Sequence, residues 1–398
     1  MAGTLEGLRV LDLTRLLPGG FCTLLLADLG AEVLKVEDTA GGDYIRWMPP
    51  YYGGEAQQRE GTGSAYFLAL NRNKRSLRLN LKDERGREVL LRLVEDYDVV
   101  VESFRPGVMD RLGVGYEALR GRNPRLIYCP ISGYGQDGPL TARSGHDTNY
   151  LALNGLLGLT GRRGGPPIQS AGQIADLGGG GLMAAVGILA AVIERERSGE
   201  GQLVDISMTD GALSWLAMVV ARYFAEQTVP RRGEIELAGG IACYFPYETS
   251  DGKSVSLGAL EPKFWQNWCA GVERPDLVEK QFEHPDSDAG AQVAAVFRER
   301  TRDEWAQFAS EHDCCLEPIL DLDEVLESDL VQARGMVVEL DQPGIGPVKQ
   351  VGSPLKLSRT PPDTTGAAPA LGADTDAVLA AAGYDAETIA GLREDGVL

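Results

Sequence analysis

Short apolar runs alternate with helix-like segments over residues 8–132, and this alternation limits the folds open to the chain. The runs typical of buried strands are LRVLDL (8–13), EVLKVE (32–37), RSLRLNL (75–81), DVVVESF (98–104) and RLIYCPIS (125–132). Segments with the character of helices lie between them, at 19–30, 82–97 and 107–113. Because parallel strands need long crossover connections, strands that alternate with helices predict a parallel sheet covered by helices. The predicted fold class is α/β.

A hairpin signal marks a second domain. The segment CYFPYETSDGKSVSLGAL (243–260) alternates around Asp251-Gly252, a pair that favours a tight turn between two strands. Ligands in open parallel sheets collect outside the carboxyl ends of the strands. The predicted organisation is a large Rossmann-like domain over 1–227, a small α+β domain over 228–330, and a C-terminal segment returning to the large domain over 331–398.

Composition narrows the functional classes. The 398 residues carry a formal net charge of −20, which argues against a general nucleic-acid binder. The six cysteines show no CxxC spacing, so no metal site is predicted. The first residues lack the basic start and apolar core of a signal peptide. The longest apolar run, within 182–193, is too short to span a bilayer. We expect a cytoplasmic protein with no membrane partner.

Three side chains have both a structural and a chemical interpretation. His146 follows a Gly/Pro-rich loop, 132–140, and its ring either bonds a backbone carbonyl there or does chemistry. Asp176 opens a glycine-rich helix, 176–197, where it is an N-cap, and the same N–H groups can stabilise a negative centre. Glu261 precedes Pro262 at a helix start, where the helix dipole favours an acid. Spacing alone leaves these alternatives open.

A basic strip stands out in the acidic chain. NRNKRSLR (71–78) carries Arg72, Lys74, Arg75 and Arg78 and is either a solvated strand edge or a dock for phosphates. Arg105 directly follows a predicted strand end, the place where a ligand phosphate would lie. No GxGxxG follows the first strand, so the usual dinucleotide fingerprint is absent.

Long motifs run through most of the chain. They are the segments 7–38, 71–82 (NRNKRSLRLNLK), 102–119 (ESFRPGVMDRLGVGYEAL), 126–140 (LIYCPISGYGQDGPL), 145–155 (GHDTNYLALNG), 175–208 (beginning ADLGGGGLM) and 258–265 (GALEPKFW). With these motifs the chain resembles the class III CoA-transferase superfamily of the CaiB/BaiF type. The GHDTNYLAL strip and the Glu-Pro pair resemble its α-methylacyl-CoA racemase branch.

The resemblance implies a catalytic set and a substrate-binding set. His146 matches the family's base histidine, Asp176 its catalytic aspartate, and Glu261 the carboxylate that partners the histidine. Contacts with CoA or its thioester are implied for Arg72, Asn73, Lys74, Arg75, Arg105, Gly145, Asp147 and Tyr150. This chain has Asp38 where several relatives have an arginine that contacts CoA, so some of the CoA contact must come from elsewhere, such as from Lys35 or Arg46.

The implied activity is racemisation of a 2-methylacyl-CoA thioester. An imidazole and a carboxylate on opposite faces can each remove or return the α-proton, with an enolate between the two steps. The enolate oxygen needs hydrogen-bond donors, and we expect N–H groups at the start of the glycine-rich helix to supply them. Two alternatives remain: a CoA transferase with Asp176 as nucleophile, and a non-catalytic protein that binds CoA thioesters.

The resemblance also implies the partners. The acyl-CoA thioester is the substrate, coenzyme A is part of that substrate, and no cofactor or metal is needed. The family fold implies an interlaced homodimer, in which the large domain of one chain and the small domain of its partner form the active site. Glu261 and His146 of one site would then come from different chains.

Overall fold

The structure is a computed structural model that describes residues 3–398, and these residues form two compact units. The first unit holds residues 3–154, 171–215 and 329–398. The second unit holds residues 155–170 and 216–328. The second unit therefore begins at Leu216 rather than at the predicted 228, ends at Ser328, and includes a short segment that the prediction placed in the large domain.

Strands and helices follow in chain order. The strands are β1 (Arg9–Leu13), β2 (Glu32–Glu37), β3 (Lys74–Arg78), β4 (Val99–Glu102), β5 (Ile127–Ser132), β6 (Ile206–Ser207), β7 (Tyr244–Glu248), β8 (Ser254–Gly258), β9 (Leu316–Pro318), β10 (Val337–Gln342) and β11 (Gly346–Val351). The α-helices are α1 (Leu17–Asp28), α2 (Glu55–Glu60), α3 (Ala65–Asn71), α4 (Glu84–Val94), α5 (Val108–Arg111), α6 (Tyr116–Arg122), α7 (Asp147–Leu153), α8 (Leu156–Leu159), α9 (Met183–Ser198), α10 (Met208–Ser214), α11 (Ala217–Glu226), α12 (Pro262–Gly271), α13 (Asp288–Phe297), α14 (Arg302–Glu311), α15 (Leu322–Glu327), α16 (Asp329–Ala333), α17 (Thr375–Ala381) and α18 (Ala386–Glu394). Short 3₁₀ helices cover Tyr44–Trp47, Glu236–Ala238 and Pro275–Lys280, and a π-helix covers Ile174–Leu182.

The first unit is built on a six-stranded parallel sheet in the order β3-β2-β1-β4-β5-β6. This is the strand order of the doubly wound fold, and it reverses direction between β1 and β4. The central strands are apolar and fully buried, as at Leu11, Leu34 and Val100, because helices cover both faces of the sheet. The predicted α/β class with a Rossmann-like parallel sheet is confirmed.

The glycine-rich segment forms one long helix. The π-helix runs directly into α9, and a side chain at Gly179 would place a Cβ 2.6 Å from the Met208 carbonyl oxygen of α10. A Cβ at Gly181 would lie 2.7 Å from the Pro18 carbonyl oxygen of α1. The glycines therefore let the helix backbone touch two neighbouring helices.

This helix is longer than the sequence pattern indicated. Ile174–Ser198 spans 25 residues with mean hydropathy 1.8, which by length and composition is enough to cross a membrane. The expectation that its apolar segment is too short is wrong, because the glycines and the flanking residues extend the helix. Core helices of globular domains can have the same length and composition, and the glycine-rich start of this helix packs tightly against α1 and α10.

The second unit contains an antiparallel sheet in the order β7-β8-β9. The predicted hairpin around Asp251-Gly252 is confirmed by the pairing of β7 with β8 and by the positive φ of 74° at Gly252. Three tryptophans are fully buried there: Trp268 and Trp305 pack against Phe297, and Trp265 stacks on Trp268. The unit has its own core of mixed helices and strands, as an α+β domain requires.

A buried ion pair ties the C-terminal residues to the first helix. The Arg72 guanidinium donates to both carboxylate oxygens of Asp28 at the end of α1, at 2.9 and 2.6 Å. The same guanidinium donates to the Val351 carbonyl oxygen of β11 at 2.8 Å. Arg72 and Asp28 are both 2% exposed, so loss of either would leave the other buried without its partner.

We predict that Arg72→Ala lowers the free energy of unfolding by about 3–5 kcal/mol, because a buried carboxylate is left without its partner. Arg59→Ala is the matched control, since Arg59 forms an exposed pair with Glu55, and its loss should cost less than about 1 kcal/mol. Urea unfolding followed by circular dichroism measures both. Equal destabilisation by the two variants would contradict the structural role of Arg72.

Candidate active site

A cavity of about 500 Å³ opens in the first unit where strands β1, β4 and β5 end. Its walls include Arg15 after β1, the stretch 103–106 after β4, and Tyr134 after β5. His146 and Asp176 also line it. This is the place at which the strand order reverses and where doubly wound folds bind ligands.

His146 is the N-cap residue of α7. Its backbone N–H donates to the Asn149 side-chain oxygen at 3.0 Å, which fixes the start of the helix. Its ring is exposed and lines the cavity, and it makes no cap hydrogen bond to the helix. The structural alternative, a ring that bonds a backbone carbonyl, describes His284 instead, whose Nε2 lies 2.9 Å from the Gly233 oxygen. The His146 ring is thus available to a ligand.

Asp176 lies within the first turn of the π-helix, two residues after its start. The N-cap position belongs to Gln173, so the prediction that Asp176 caps the helix is wrong. Its side chain is half-buried at the cavity wall. Burial, reinforced by the negative charge of Asp147 and opposed by His146, raises the pKa of Asp176 to about 6. This carboxyl can therefore gain and lose a proton near neutral pH.

Asp147 occupies a different place from the one expected. Its carboxylate is buried and accepts hydrogen bonds from the backbone N–H groups of Ala175 and Asp176, at 2.7 and 3.0 Å. The carboxylate thus binds the protein backbone rather than lining the cavity. These two N–H groups are occupied, and that of Leu177 donates to the Gln173 carbonyl. The expectation that they stabilise an enolate is therefore wrong.

Tyr150 and Gly145 form one wall together. The Tyr150 hydroxyl donates to the Gly145 carbonyl oxygen at 2.6 Å, and the Tyr150 ring meets the Tyr134 ring edge to face at 5.2 Å. Both residues line the cavity. A Cβ at Gly145 would lie 2.7 Å from the Tyr150 ring, so the wall requires glycine there.

Glu261 belongs to the second unit. It is the N-cap residue of α12, followed by Pro262 at the first helical position, and its side chain is exposed and makes no cap hydrogen bond. The helix dipole favours a negatively charged side chain, such as that of Glu261, at this helix start. His146 and Asp176 belong to the first unit.

The basic strip does not face the cavity. Arg72 is buried against Asp28, and Lys74 is buried with its Nζ 3.2 Å from an Asp12 carboxylate oxygen. Arg75 pairs with Glu32 and Asp374. Asn73 donates to Asp28 and to the Asp363 carbonyl oxygen. The prediction that these four residues hold CoA phosphates is therefore not supported, because their polar groups bind other parts of the fold.

The two residues expected to replace the missing arginine at position 38 are also internal. Lys35 is fully buried with its Nζ 3.0 Å from Asp43, and Arg46 is fully buried against Glu37. Neither reaches the cavity, so this expectation is wrong. Asp38 instead pairs with Arg15, a cavity residue that the sequence analysis missed.

Three arginines line the cavity: Arg15, Arg105 and Arg143. Arg15 also donates to the Tyr44 hydroxyl at 2.7 Å, and its guanidinium lies over the Tyr44 ring. A sequence signal for Arg15 existed, since it follows strand β1 as closely as Arg105 follows β4.

Among residues 3–398, no group of three or more His, Cys, Asp or Glu side chains is arranged to hold a metal ion.

Fold and site together define a doubly wound α/β protein with an imidazole, a carboxyl and three guanidinium groups around one cavity. The chain matches the model of CoA-transferase family III over residues 5–375. It therefore belongs to that family, as the resemblance of its motifs indicated.

Individual relatives carry two kinds of name. The chain is 35% identical to alpha-methylacyl-CoA racemase of Homo sapiens, over 99% of this chain and 97% of that one. It is 40% identical to succinyl-CoA:mesaconate CoA-transferase of Haloarcula marismortui, over 97% and 98%. A CAIB/BAIF family protein from Brucella suis has a similar crystal structure, with TM-score 0.83 and 31% identity over 96% and 100%. Family membership alone therefore does not choose between the two reactions.

We predict that Asp176→Asn stabilises the protein at pH 8 and has no such effect at pH 4. The pKa of Asp176 is about 6 in the folded protein and near 4 when unfolded, so its charged form lowers stability above pH 6. Below about pH 4 the carboxyl is protonated in both states and the cost disappears. The gain at pH 8 should be on the order of 1–3 kcal/mol.

Thermal unfolding across this pH range measures the effect. Asp137→Asn is the control, because it removes one charge from an exposed position outside the cavity. A gain for Asp176→Asn that is the same at pH 4 and pH 8 would contradict the raised pKa.

Proposed function

We propose that this protein racemises 2-methylacyl-CoA thioesters by moving the α-proton from one face of the carbon to the other. The observation that carries the proposal is the shared cavity of His146 and Asp176. Both side chains are open to a ligand, and the pKa of Asp176 is about 6. General acid–base catalysis is most effective when the pKa of the catalytic group lies near the working pH.

The proposed reaction has two proton transfers. One group accepts the α-proton, and the electron pair of the broken C–H bond becomes the enolate of the thioester. The other group donates a proton to the opposite face of the carbon, which restores the carbonyl and inverts the centre. After one turnover His146 and Asp176 have exchanged protonation states, so the enzyme is ready to catalyse the reaction in the reverse direction.

The cavity arginines are the groups that we propose to bind CoA. Arg105 lies three residues after the end of β4, and Arg15 and Arg143 line the same cavity. Guanidinium groups are well suited to phosphate because they donate two hydrogen bonds in one plane. We propose no cofactor beyond the coenzyme A of the substrate, and we expect the reaction to take place in the cytoplasm.

A CoA transferase is the second candidate. The identity of 40% to a succinyl-CoA:mesaconate CoA-transferase favours it. In that reaction the Asp176 carboxylate attacks the thioester carbonyl and expels the CoA thiolate, which leaves a mixed anhydride. The thiolate then attacks the aspartyl carbonyl, forms an aspartyl-CoA thioester and releases the donor acid as its carboxylate. The acceptor carboxylate takes the CoA by the same two steps in reverse, which frees Asp176. That mechanism has no evident use for the imidazole of His146, so the racemase remains the better fit.

We predict that variants of His146 and Asp176 lose proton exchange with opposite enantiomers of the substrate. In D₂O, His146→Ala should lose C2 deuterium uptake from one pure enantiomer of a 2-methylacyl-CoA and keep some from the other, because one base remains. Asp176→Asn should show the opposite preference. Racemisation should fall by roughly 10²–10⁴-fold in both, because reprotonation from the far face has lost its acid.

Mass spectrometry and chiral analysis of each enantiomer measure these changes. His284→Ala is the control histidine, since its ring bonds the Gly233 carbonyl oxygen outside the cavity, and it should exchange like the wild type. If the wild type moves CoA to an added carboxylate without deuterium uptake, and only Asp176→Asn abolishes this, the transferase is the correct assignment.

We further propose a homodimer in which Glu261 of one chain partners His146 of the other. An apolar stripe supports an interface: Leu182, Val186 and Ile193 lie on one face of the long helix and are 39%, 55% and 59% exposed. Positions i, i+4 and i+11 coincide on one side of an α-helix. A stripe of this kind is usually covered by another surface.

Sedimentation velocity should show a single dimeric species at micromolar concentration and at every lower concentration at which the protein remains folded. Interlaced chains separate only by unfolding, so dilution should not release a folded monomer. A folded monomer with full racemase activity would contradict both the dimer and the assignment of Glu261 to the partner chain.

A further inference from the structure

We propose that Asp147 is a positioning residue, whose buried carboxylate fixes Asp176 relative to His146 and supplies the negative charge that faces it. This inference deepens the proposed function and rests on Asp176 being a proton carrier. The resemblance had placed Asp147 at the substrate thioester, and the geometry points to a different task.

Asp147 joins two helix starts. It is the first residue of α7 and follows His146 directly in the chain. Its Oδ1 accepts from the N–H of Ala175 at 2.7 Å and from the N–H of Asp176 at 3.0 Å. One carboxylate oxygen thus holds two consecutive amides of the π-helix, and one of them belongs to the proton carrier itself.

The π-helix depends on this contact for its first turn. The first N–H groups of a helix have no partner within the helix, and an N-cap side chain usually supplies one. Gln173 makes no such cap here. The carboxylate of Asp147 takes its place from a different helix. The backbone of Asp176 is thereby linked to the residue next to His146.

A link this short matters for two-base chemistry. The two groups must reach opposite faces of one carbon, and a displacement of 1 Å can cost about 10²-fold in rate. Asp147 ties the backbone at His146 to the backbone at Asp176 through one side chain and two hydrogen bonds. The separation of the two proton carriers is therefore set locally, close to the reacting groups.

Asp147 also acts on Asp176 electrostatically. A like charge disfavours the ionised carboxyl, and it adds to burial in raising the pKa of Asp176, whereas His146 lowers it. Tyr150 of α7 and Tyr134 after β5 face the same cavity. Burial, the nearby Asp176 and other neighbours raise the pKa of Tyr150 above its ordinary range, so this phenol is neutral at the working pH.

The remaining elements packed against the π-helix are α1, α9, α10, β5 and β6. Of these, α10 carries the charged Asp210, which is exposed, and α1 carries Asp28 at its far end, where Arg72 neutralises it. The charged residues of α9 all lie in its last turn, far along the helix from Asp176: Glu194, Arg195, Glu196 and Arg197. Asp147 is thus the anionic group that bears on Asp176.

Asp147→Asn separates charge from hydrogen bonding, because the amide oxygen still accepts from Ala175 and Asp176. The pKa of Asp176, followed by ¹³C NMR of its carboxyl carbon with Asp176→Asn to assign the signal, should fall by about one unit. The acidic limb of the pH profile for deuterium exchange should move by the same amount. The KM for the CoA thioester should change by less than about 2-fold, since Asp147 does not line the cavity.

Asp147→Ala removes the hydrogen bonds as well. Its kcat should fall by about 10²-fold while KM stays within about 2-fold, because the proton carrier is displaced rather than the CoA site. Asp137→Asn, which removes an exposed charge outside the cavity, should leave the pKa of Asp176 and the pH profile unchanged.

Hydrogen exchange of the wild type gives a measurement that needs no variant. The amides of Ala175 and Asp176 should be protected to the same degree as interior helical amides, and rapid exchange of both would overturn the proposal. An Asp176 pKa that is identical in Asp147→Asn and wild type would also overturn it, as would wild-type kcat in Asp147→Ala. The NMR and exchange readouts require no turnover, so they still test Asp147 if the racemase assignment fails.

Discussion

The buried carboxylate of Asp12 in β1 organises the edge of the sheet at which the cavity opens. Its oxygens accept from the Thr14 and Thr23 hydroxyls, each at 2.6 Å, and from Lys74 of β3 at 3.2 Å. Burial opposes its charge, but the two buried lysines, Lys35 and Lys74, lower the pKa of Asp12 to about 2. The network joins β1, β2, β3 and α1, and the chain leaves it at Thr14 to bring Arg15 into the cavity. This wall of the cavity therefore depends on buried charged groups that do not themselves line the cavity.

The opposite wall depends on close backbone contact. Gly179 and Gly181 let the π-helix touch α10 and α1, and Asp147 holds its first turn. These contacts bring Asp176 to the cavity that His146 lines from α7. Family membership accounts for the shared fold, and the proposal of a two-base reaction rests on the shared cavity of His146 and Asp176, whose pKa is raised.

Much of the fold was predictable because local pattern and global topology agree. Buried parallel strands must be apolar, and each crossover must hold a helix, so β1 to β5 and the helices α1, α4 and α5 follow from periodicity. The helices α2, α3 and α6, which lie between the same strands, were not predicted. The two-residue β6 and the β10–β11 hairpin carried no comparable signal. The boundary at Leu216 was also missed, because it depends on contacts between segments distant in sequence, such as residues 155–170 and 216–328.

The sequence by itself determined the parallel sheet, the loop position of His146, the helix-start position of Glu261 and the family to which the chain belongs. The tertiary structure decided which charged side chains reach the cavity and which are paired within the fold. Arg72, Lys74, Lys35 and Arg46 look like ligand-binding cations in the sequence, yet each is buried against a carboxylate of the fold, whereas Arg15 and Arg143 reach the cavity. Residue type sets the charge a side chain can carry, but burial and pairing depend on residues brought together only by folding. For the same reason, the raised pKa of Asp176 and the occupied amides beside it could be known only from the folded chain.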